Sequence, residues 1–153
     1  MTASVLDGKR ILAVDDEPDV LTVLEGGIKD SCPNCQFDKA STYERGAELI
    51  NGNTYDLAIL DIMGVRGFEL LDLAVKRKFR VAMLTAHDLT SEALKRSHDR
   101  GARAYLPKDK LGEIVPFLED TLQYDFKSGW SRLLDKLDAY FAATLTDWVR
   151  FAD

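Results

Sequence analysis

Only two cysteines and two histidines occur in the 153 residues of this chain, and that scarcity removes several functions at once. Cys32-Pro-Asn-Cys35 has CxxC spacing, but a structural zinc site needs four ligands, and His87 and His98 lie far along the chain. The pair precedes a weak strand, which in a parallel sheet places it at the amino edge, and two ordinary reduced thiols are the expectation. There is no basic surplus either: the net charge of -6 leaves no footprint for direct contact with nucleic acid. No apolar stretch approaches the ~20 residues that cross a bilayer. The first residues lack the apolar core of a signal peptide, so a cytoplasmic protein with no membrane insertion is expected. A glycine-rich phosphate-cradling turn is missing after the first apolar run, where Asp15-Asp16-Glu17-Pro18 sets negative charge instead.

What is present is an ordinary domain's worth of apolar residues, 46% of the chain, arranged in short runs that each end on a polar residue of a different kind. Arg10 to Val14 leads into Asp15 and Asp16, Leu57 to Leu60 into Asp61, Val81 to Leu84 into Thr85, and Arg103 to Pro107 into Lys108. As parallel strands of one sheet, these runs deliver every such side chain to the carboxyl edge, where open α/β sheets bind ligands. Three carboxylates, a hydroxyl and an ammonium converge there.

Carboxylates held that close raise one another's pKa unless a cation neutralises them. A divalent ion is therefore implied, and Mg²⁺ suits hard oxygen donors of this kind. A carboxylate facing such an ion can attack a phosphoryl group and form an aspartyl phosphate. Asp61, alone on its strand end, is the best nucleophile. Lys108 and the Thr85 hydroxyl are placed to bind the incoming phosphoryl oxygens.

Between the runs the sequence alternates towards helix. Pro18 suits a first helical position, and Val20, Leu21, Val23, Leu24 and Ile28 continue at helical spacing. Gln36 to Ser41 reads as a weak second strand, and Thr42 can cap a helix through Ile50. Further helices are expected from about Phe68 to Arg77, from Asp88 or Thr90 to Arg100, and from Leu111 to Gln123. Strands joined by helices favour a parallel sheet with right-handed crossovers.

The segments Ile11 to Pro18, Tyr55 to Met63, Met83 to Ala86 and Gly101 to Lys108 resemble, in order, the motifs of the receiver domain of bacterial two-component response regulators. The resemblance spans roughly residues 9 to 123. It implies a flavodoxin-like, doubly wound sheet of order 2-1-3-4-5 with five surrounding helices. It also implies that Asp61 accepts a phosphoryl group from a sensor histidine kinase, a phosphotransfer protein or a small phosphodonor, and that the domain catalyses its own phosphorylation and dephosphorylation. Asp15, Asp16, Asp61 and the backbone carbonyl of Met63 would hold Mg²⁺. Thr85 and Tyr105 would form the switch pair, read out on the surface of the fourth helix, fifth strand and fifth helix.

The stretch Met63-Gly-Val-Arg-Gly67 departs from the family pattern: it has no proline and is about two residues shorter. A shorter loop bordering the metal site can displace the Met63 carbonyl, but a harmless loop variant is the expectation, since every polar site residue is retained. His87, two residues past Thr85, either gates the water that hydrolyses the acyl phosphate or is an exposed loop histidine. A haloacid-dehalogenase-type phosphatase would want a second Asp at position 63, which is Met. The remaining alternative is a degenerate, unphosphorylated receiver serving as a dimerising scaffold.

The expected division is a receiver over residues 1–124 and a helical extension over 125–153. After a break at Tyr124 to Gly129, Trp130, Leu134, Leu137, Phe141, Leu145 and Trp148 trace one apolar stripe. About 22 residues of helix, roughly 33 Å, are too few for an independent output domain. So large an apolar face marks an interface, and a homodimer through this helix is the favoured expectation, because five helices already cover the sheet of a receiver. Folding back on its own receiver and insertion into a partner's groove are the other two readings.

Overall fold

The computed structural model describes residues 4–86 and 90–141. Five strands, β1 (Arg10–Val14), β2 (Gln36–Ala40), β3 (Leu57–Asp61), β4 (Arg80–Thr85) and β5 (Ala104–Pro107), form one parallel sheet in the order β2-β1-β3-β4-β5. β3 is buried along its whole length, and the unbroken run Leu57-Ala-Ile-Leu60 is what a strand covered on both faces requires. β2, at the edge, is fully buried only at Ala40 and is correspondingly more polar.

The helices that cross between strands begin and end where local chemistry dictates. α1 (Pro18–Ser31) opens on proline, whose missing N–H costs nothing at that position, and buries Val20, Leu21, Leu24 and Ile28. α2 (Tyr43–Gly52) is capped by Thr42, whose hydroxyl accepts from the Arg45 N–H at 3.1 Å. α3 spans Gly67–Lys76, and α4 spans Ser91–Asp99 with Thr90 as its cap. The segment after β5 differs from the expected helix over Leu111 to Gln123. Lys108–Glu113 is a 3-10 turn that breaks helical geometry at Lys110, and α5 proper is Ile114–Gln123. Pro116 at its third position leaves no donor to extend a regular helix backwards through this stretch.

A sixth helix, α6 (Phe126–Phe141), corrects two readings of the tail. The segment Tyr124 to Gly129 is no break. Asp125 acts as an N-cap, its carboxylate accepting from the Ser128 N–H at 2.8 Å and its carbonyl from Gly129, so the helix starts at Phe126. Nor is the inner stripe free for a twin. Trp130, Leu133, Leu134 and Leu137 are all buried within the chain, Trp130 to 1% exposure, against α5 and the β5 side of the sheet. Five helices leave the β5 edge uncovered, and the sixth closes it. The side chain of Phe141, together with Leu145, Trp148 and His87, lies outside the described residues.

Trp130 is held in a socket. Its indole N–H donates to the Ala102 carbonyl at 2.9 Å, and its ring meets His98 of α4 with centroids 5.2 Å apart. Phe126, one turn earlier on α6, meets the same His98 ring at 5.0 Å and lies 6.4 Å from Trp130. The turn into α6 is pinned by Arg80, the first residue of β4, whose guanidinium donates to the carbonyls of Thr121, Leu122 and Tyr124 at 2.8–3.0 Å. These carbonyls belong to the end of α5, where orphan acceptors need a donor.

Trp130→Ala removes a buried aromatic and a buried hydrogen bond together. It is expected to lower unfolding free energy by about 3–5 kcal/mol, whereas Val23→Ala on the exposed side of α1 should change it by less than ~0.5 kcal/mol. Urea unfolding checks both, and a loss below ~1 kcal/mol at Trp130 would contradict the packing of α6.

Candidate functional site

The sheet register brings the polar strand ends together. Val14 pairs with Leu60, so one step further Asp15 stands beside Asp61, while Asp61 pairs with Leu84 and Thr85 with Pro107, the residue before Lys108. Asp15 and Asp61 are buried, at 0% and 2% exposure, and Asp16 is exposed at the mouth. One carboxylate oxygen from each of the three lies within 4.8 Å of the others.

Lys108 reaches into this cluster. Its Nζ is 2.8 Å from Asp15 Oδ2, 3.1 Å from Asp61 Oδ1 and 3.0 Å from Glu17 Oε1. Burial alone would favour a neutral amine, but three carboxylates outweigh it and hold the ammonium's pKa above its ordinary value. The carboxylates shift the other way. Burial, reinforced by the neighbouring charge of Asp15, pushes Asp61 up to about 6 against the pull of Lys108. Asp15 is raised as well, again chiefly by burial.

The loop after Asp61 folds over the cluster in spite of its shortness. Two residues in left-handed backbone, Gly64 at φ +82° and Arg66 at φ +54°, turn it within five positions. Gly64 backs directly onto Asp16: a Cβ there would fall 2.4 Å from Asp16 Oδ2, so any side chain would displace that carboxylate and strain the backbone at positive φ. Gly67, first in α3, allows equally close approach, because its Cβ would fall 2.1 Å from the Asp61 carbonyl oxygen. Arg66 lies over the Tyr43 ring at 4.0 Å and pairs with Glu69, contacts that offset its unfavourable φ. Met63 stands in this loop with its side chain in solvent.

Thr85 closes β4 and is buried at 6% exposure. Tyr105 of β5 is buried beneath it, its hydroxyl in hydrogen-bond contact with Thr85 and 3.5 Å from the Thr90 N–H at the cap of α4. The structure thus gathers Asp15, Asp16, Asp61, Thr85, Tyr105 and Lys108 as the sequence led us to expect. Cys32 and Cys35 are free and buried, and Cys32 closes the far end of α1, opposite the helix end that carries the acidic residues. One contributor escaped the sequence reading. Glu17 holds Lys108 from above while its own N–H donates to Asp15 Oδ1 at 2.9 Å. Its position two residues past Asp15, in a run of three acids, was the available signal.

The donor set fits a hard divalent cation. Asp15 Oδ2 is buried and, its off-line charge contact with Lys108 apart, has no hydrogen-bond donor. Such an oxygen is costly unless a cation takes it. Three clustered carboxylates facing one ammonium leave negative charge in excess, and every donor is a hard oxygen.

Comparison with known proteins agrees with this geometry. The family model "Response regulator receiver domain" matches residues 11–118. The two-component response regulator ARR18 of Arabidopsis thaliana is 33% identical over 134 residues, which are 83% of this chain and 20% of that protein. The transcriptional regulatory protein TcrA of Mycobacterium tuberculosis is 29% identical over 107 residues, 67% of this chain and 41% of the relative. This chain therefore spans about a fifth to two-fifths of the length of these curated relatives. Among solved structures, a CheY-like receiver domain protein from Methanospirillum hungatei JF-1 superposes with a TM-score of 0.62 at 26% identity, covering 75% of this chain and 96% of that one. A LuxR-family response regulator from Aurantimonas shares the fold, with a TM-score of 0.67 at 24% identity over 76% of this chain and 86% of its own. The chain belongs to the response regulator receiver domain family, whose members work in phosphorylation-based signalling and generally bind Mg²⁺ at an acidic pocket. Among the described residues no helix is long and apolar enough to cross a membrane.

The raised pKa of Asp61 has a definite sign in stability. A carboxyl that titrates near 6 when folded and near 4 when unfolded adds stability that is fully present below about pH 4. That contribution is lost as pH rises through 6, by about 3 kcal/mol at most. In metal-free buffer, Asp61→Asn should therefore raise unfolding free energy near pH 8 by ~1–3 kcal/mol and flatten its dependence between pH 4 and 7. Urea titrations across that range measure this, and an unchanged slope would refute the assignment.

Proposed function

We propose that Asp61 is the phosphoacceptor of this receiver. The observation that carries the reading is a buried strand-end carboxylate held at 3.1 Å by Lys108 between Asp15 and Thr85. An Asp61 oxygen attacks the phosphorus of a phosphohistidine on a sensor histidine kinase or phosphotransfer protein, or of a small phosphodonor. The O–P bond forms as the donor's P–N or P–O bond breaks, and the leaving group keeps the electron pair. Asp15, Asp16, Asp61 and the Met63 carbonyl would hold Mg²⁺, which when bound neutralises the charge gathering on the phosphoryl oxygens. Lys108 and the Thr85 hydroxyl position those oxygens. Glu17 and Asp15 keep the Lys108 side chain extended towards Asp61, so that its charge is in place before the donor arrives.

The same residues serve slow hydrolysis of the acyl phosphate, with His87, two residues past Thr85 in the sequence, as a modulator, so the domain catalyses its own phosphorylation and dephosphorylation. Thr85 and Tyr105 form the switch pair. The receiver unit is assigned to residues 1–124 and the helical extension to 125–153, with the protein acting in the cytoplasm through protein contacts and without binding nucleic acid itself. A homodimer would have to use a surface other than the buried inner stripe of α6.

Intact mass spectrometry after treatment with acetyl phosphate and Mg²⁺ tests this. One added phosphoryl group is expected, absent in Asp61→Ala and formed at least ~100-fold more slowly in Lys108→Ala. A folded wild-type protein that takes up neither phosphoryl nor beryllofluoride would overturn the reading in favour of an unphosphorylated scaffold.

A further inference from the structure

The residues that join the site to α6 form an unbroken series of contacts. Thr85 touches the Tyr105 hydroxyl, which also lies 3.5 Å from the Thr90 N–H. Thr90 caps α4, its hydroxyl accepting from the Ala93 N–H at 3.1 Å. At the other end of α4, His98 packs against both Phe126 and Trp130 of α6, with centroids 5.0 and 5.2 Å away. Trp130 in turn donates to Ala102, whose own N–H is bonded to Ser97 of α4 at 2.9 Å. One short helix of nine residues therefore carries the Tyr105 contact at its first turn and the Trp130 socket at its last.

The chemistry of these contacts makes them unequal. α4 is the most polar of the helices around the sheet and buries only Leu94 and Ser97, so few apolar contacts fix its position. Its contact with Tyr105 is long, at the limit of a hydrogen bond. α6 binds more firmly to α5, where Asp120 meets Lys136 at 2.5 Å and Arg132 at 3.5 Å. A displacement that begins at Thr85 therefore passes through a lightly anchored element. It arrives at the half of the Trp130 socket that α4 supplies, while the half built on α5 stays in place.

We propose that α6 is a switched cover: drawing Thr85 towards a phosphoryl group on Asp61 releases Tyr105, shifts α4 and loosens the Trp130 socket, uncovering the surface of α4, β5 and α5 that α6 occupies. This rests on the phosphoacceptor reading for its trigger but not for its wiring. Both states belong to one two-state element biased by a local charge change. The surface uncovered is lined by Ala102, His98 and Phe117, an apolar patch with a ring-stacking histidine and an open carbonyl. It suits a partner that presents an aromatic side chain with an N–H donor, as Trp130 does now.

Hydrogen exchange resolved along the full-length chain, with intact mass recorded on the same samples, tests both parts. In the unphosphorylated protein, Thr85→Val removes the hydroxyl that Tyr105 contacts. Exchange of amides in residues 126–137 should rise several-fold, up to about tenfold, as loss of one hydrogen bond in the relay permits. The amides of α2, on the far side of the sheet, should stay unchanged. Wild-type protein carrying one phosphoryl group by mass should show the same local rise. Exchange in α6 that is unmoved by Thr85→Val, or that rises equally in α2, overturns the relay. A rise in Thr85→Val with none in phosphorylated protein overturns the switch. Absence of any phosphoryl by mass would count against the phosphoacceptor reading alone, because the Thr85→Val comparison still decides the relay.

Discussion

Everything at the carboxyl edge of this sheet depends on one ammonium group in the wrong place for a lysine. Lys108 Nζ is drawn under the surface among Asp15, Glu17 and Asp61, and its charge is what allows two carboxylates to be buried side by side. Taking an isolated charge out of water is costly, and a cluster of like charges is worse. The fold accepts that burden because β1, β3 and β5 end where they do, with α1 starting at once after the acids and the 3-10 turn starting at the lysine itself. The remaining imbalance, with acids outnumbering the cation, adds to the burial that lifts the pKa of Asp61 and creates the appetite for a divalent ion.

The ends of the strands were readable because chemistry and geometry coincide there. A run such as Leu57-Ala-Ile-Leu60 can only be a strand covered on both faces, and the residue that ends it must lie at an edge. Caps were equally legible: Thr42 and Thr90 behave as their hydroxyls dictate. The boundaries of α5 and α6 were not. Pro116 sits inside an apolar pattern that periodicity alone reads as helix, and Asp125 and Phe126 are followed by lysine, serine and glycine, which mimic a loop while serving in the first turn of a helix.

The destination of α6 was illegible for a different reason. Its stripe is plain in the sequence, but what it covers is assembled from distant pieces: a histidine near the end of α4, a carbonyl between α4 and β5, and one face of α5. A count of helices suggests the sheet is already covered, yet the strand order leaves β5 at an edge, and only three-dimensional placement shows the gap. Glu17 was missed on the same grounds, since its partner lies 91 residues away.

Arg80 gives the arrangement a mechanical character. Its guanidinium holds three carbonyls at the turn from α5 into α6, and it opens the same strand, β4, that Thr85 closes. A six-residue strand buried in mid-sheet is a stiff rod, so the pivot of α6 and the hydroxyl at the site are set on a common rigid axis. The helix is accordingly hinged rather than leashed. Freed from its socket it would swing about a fixed corner like a gate on its post, and displacement would grow with distance from that corner, so that Leu137 would travel farther than Trp130.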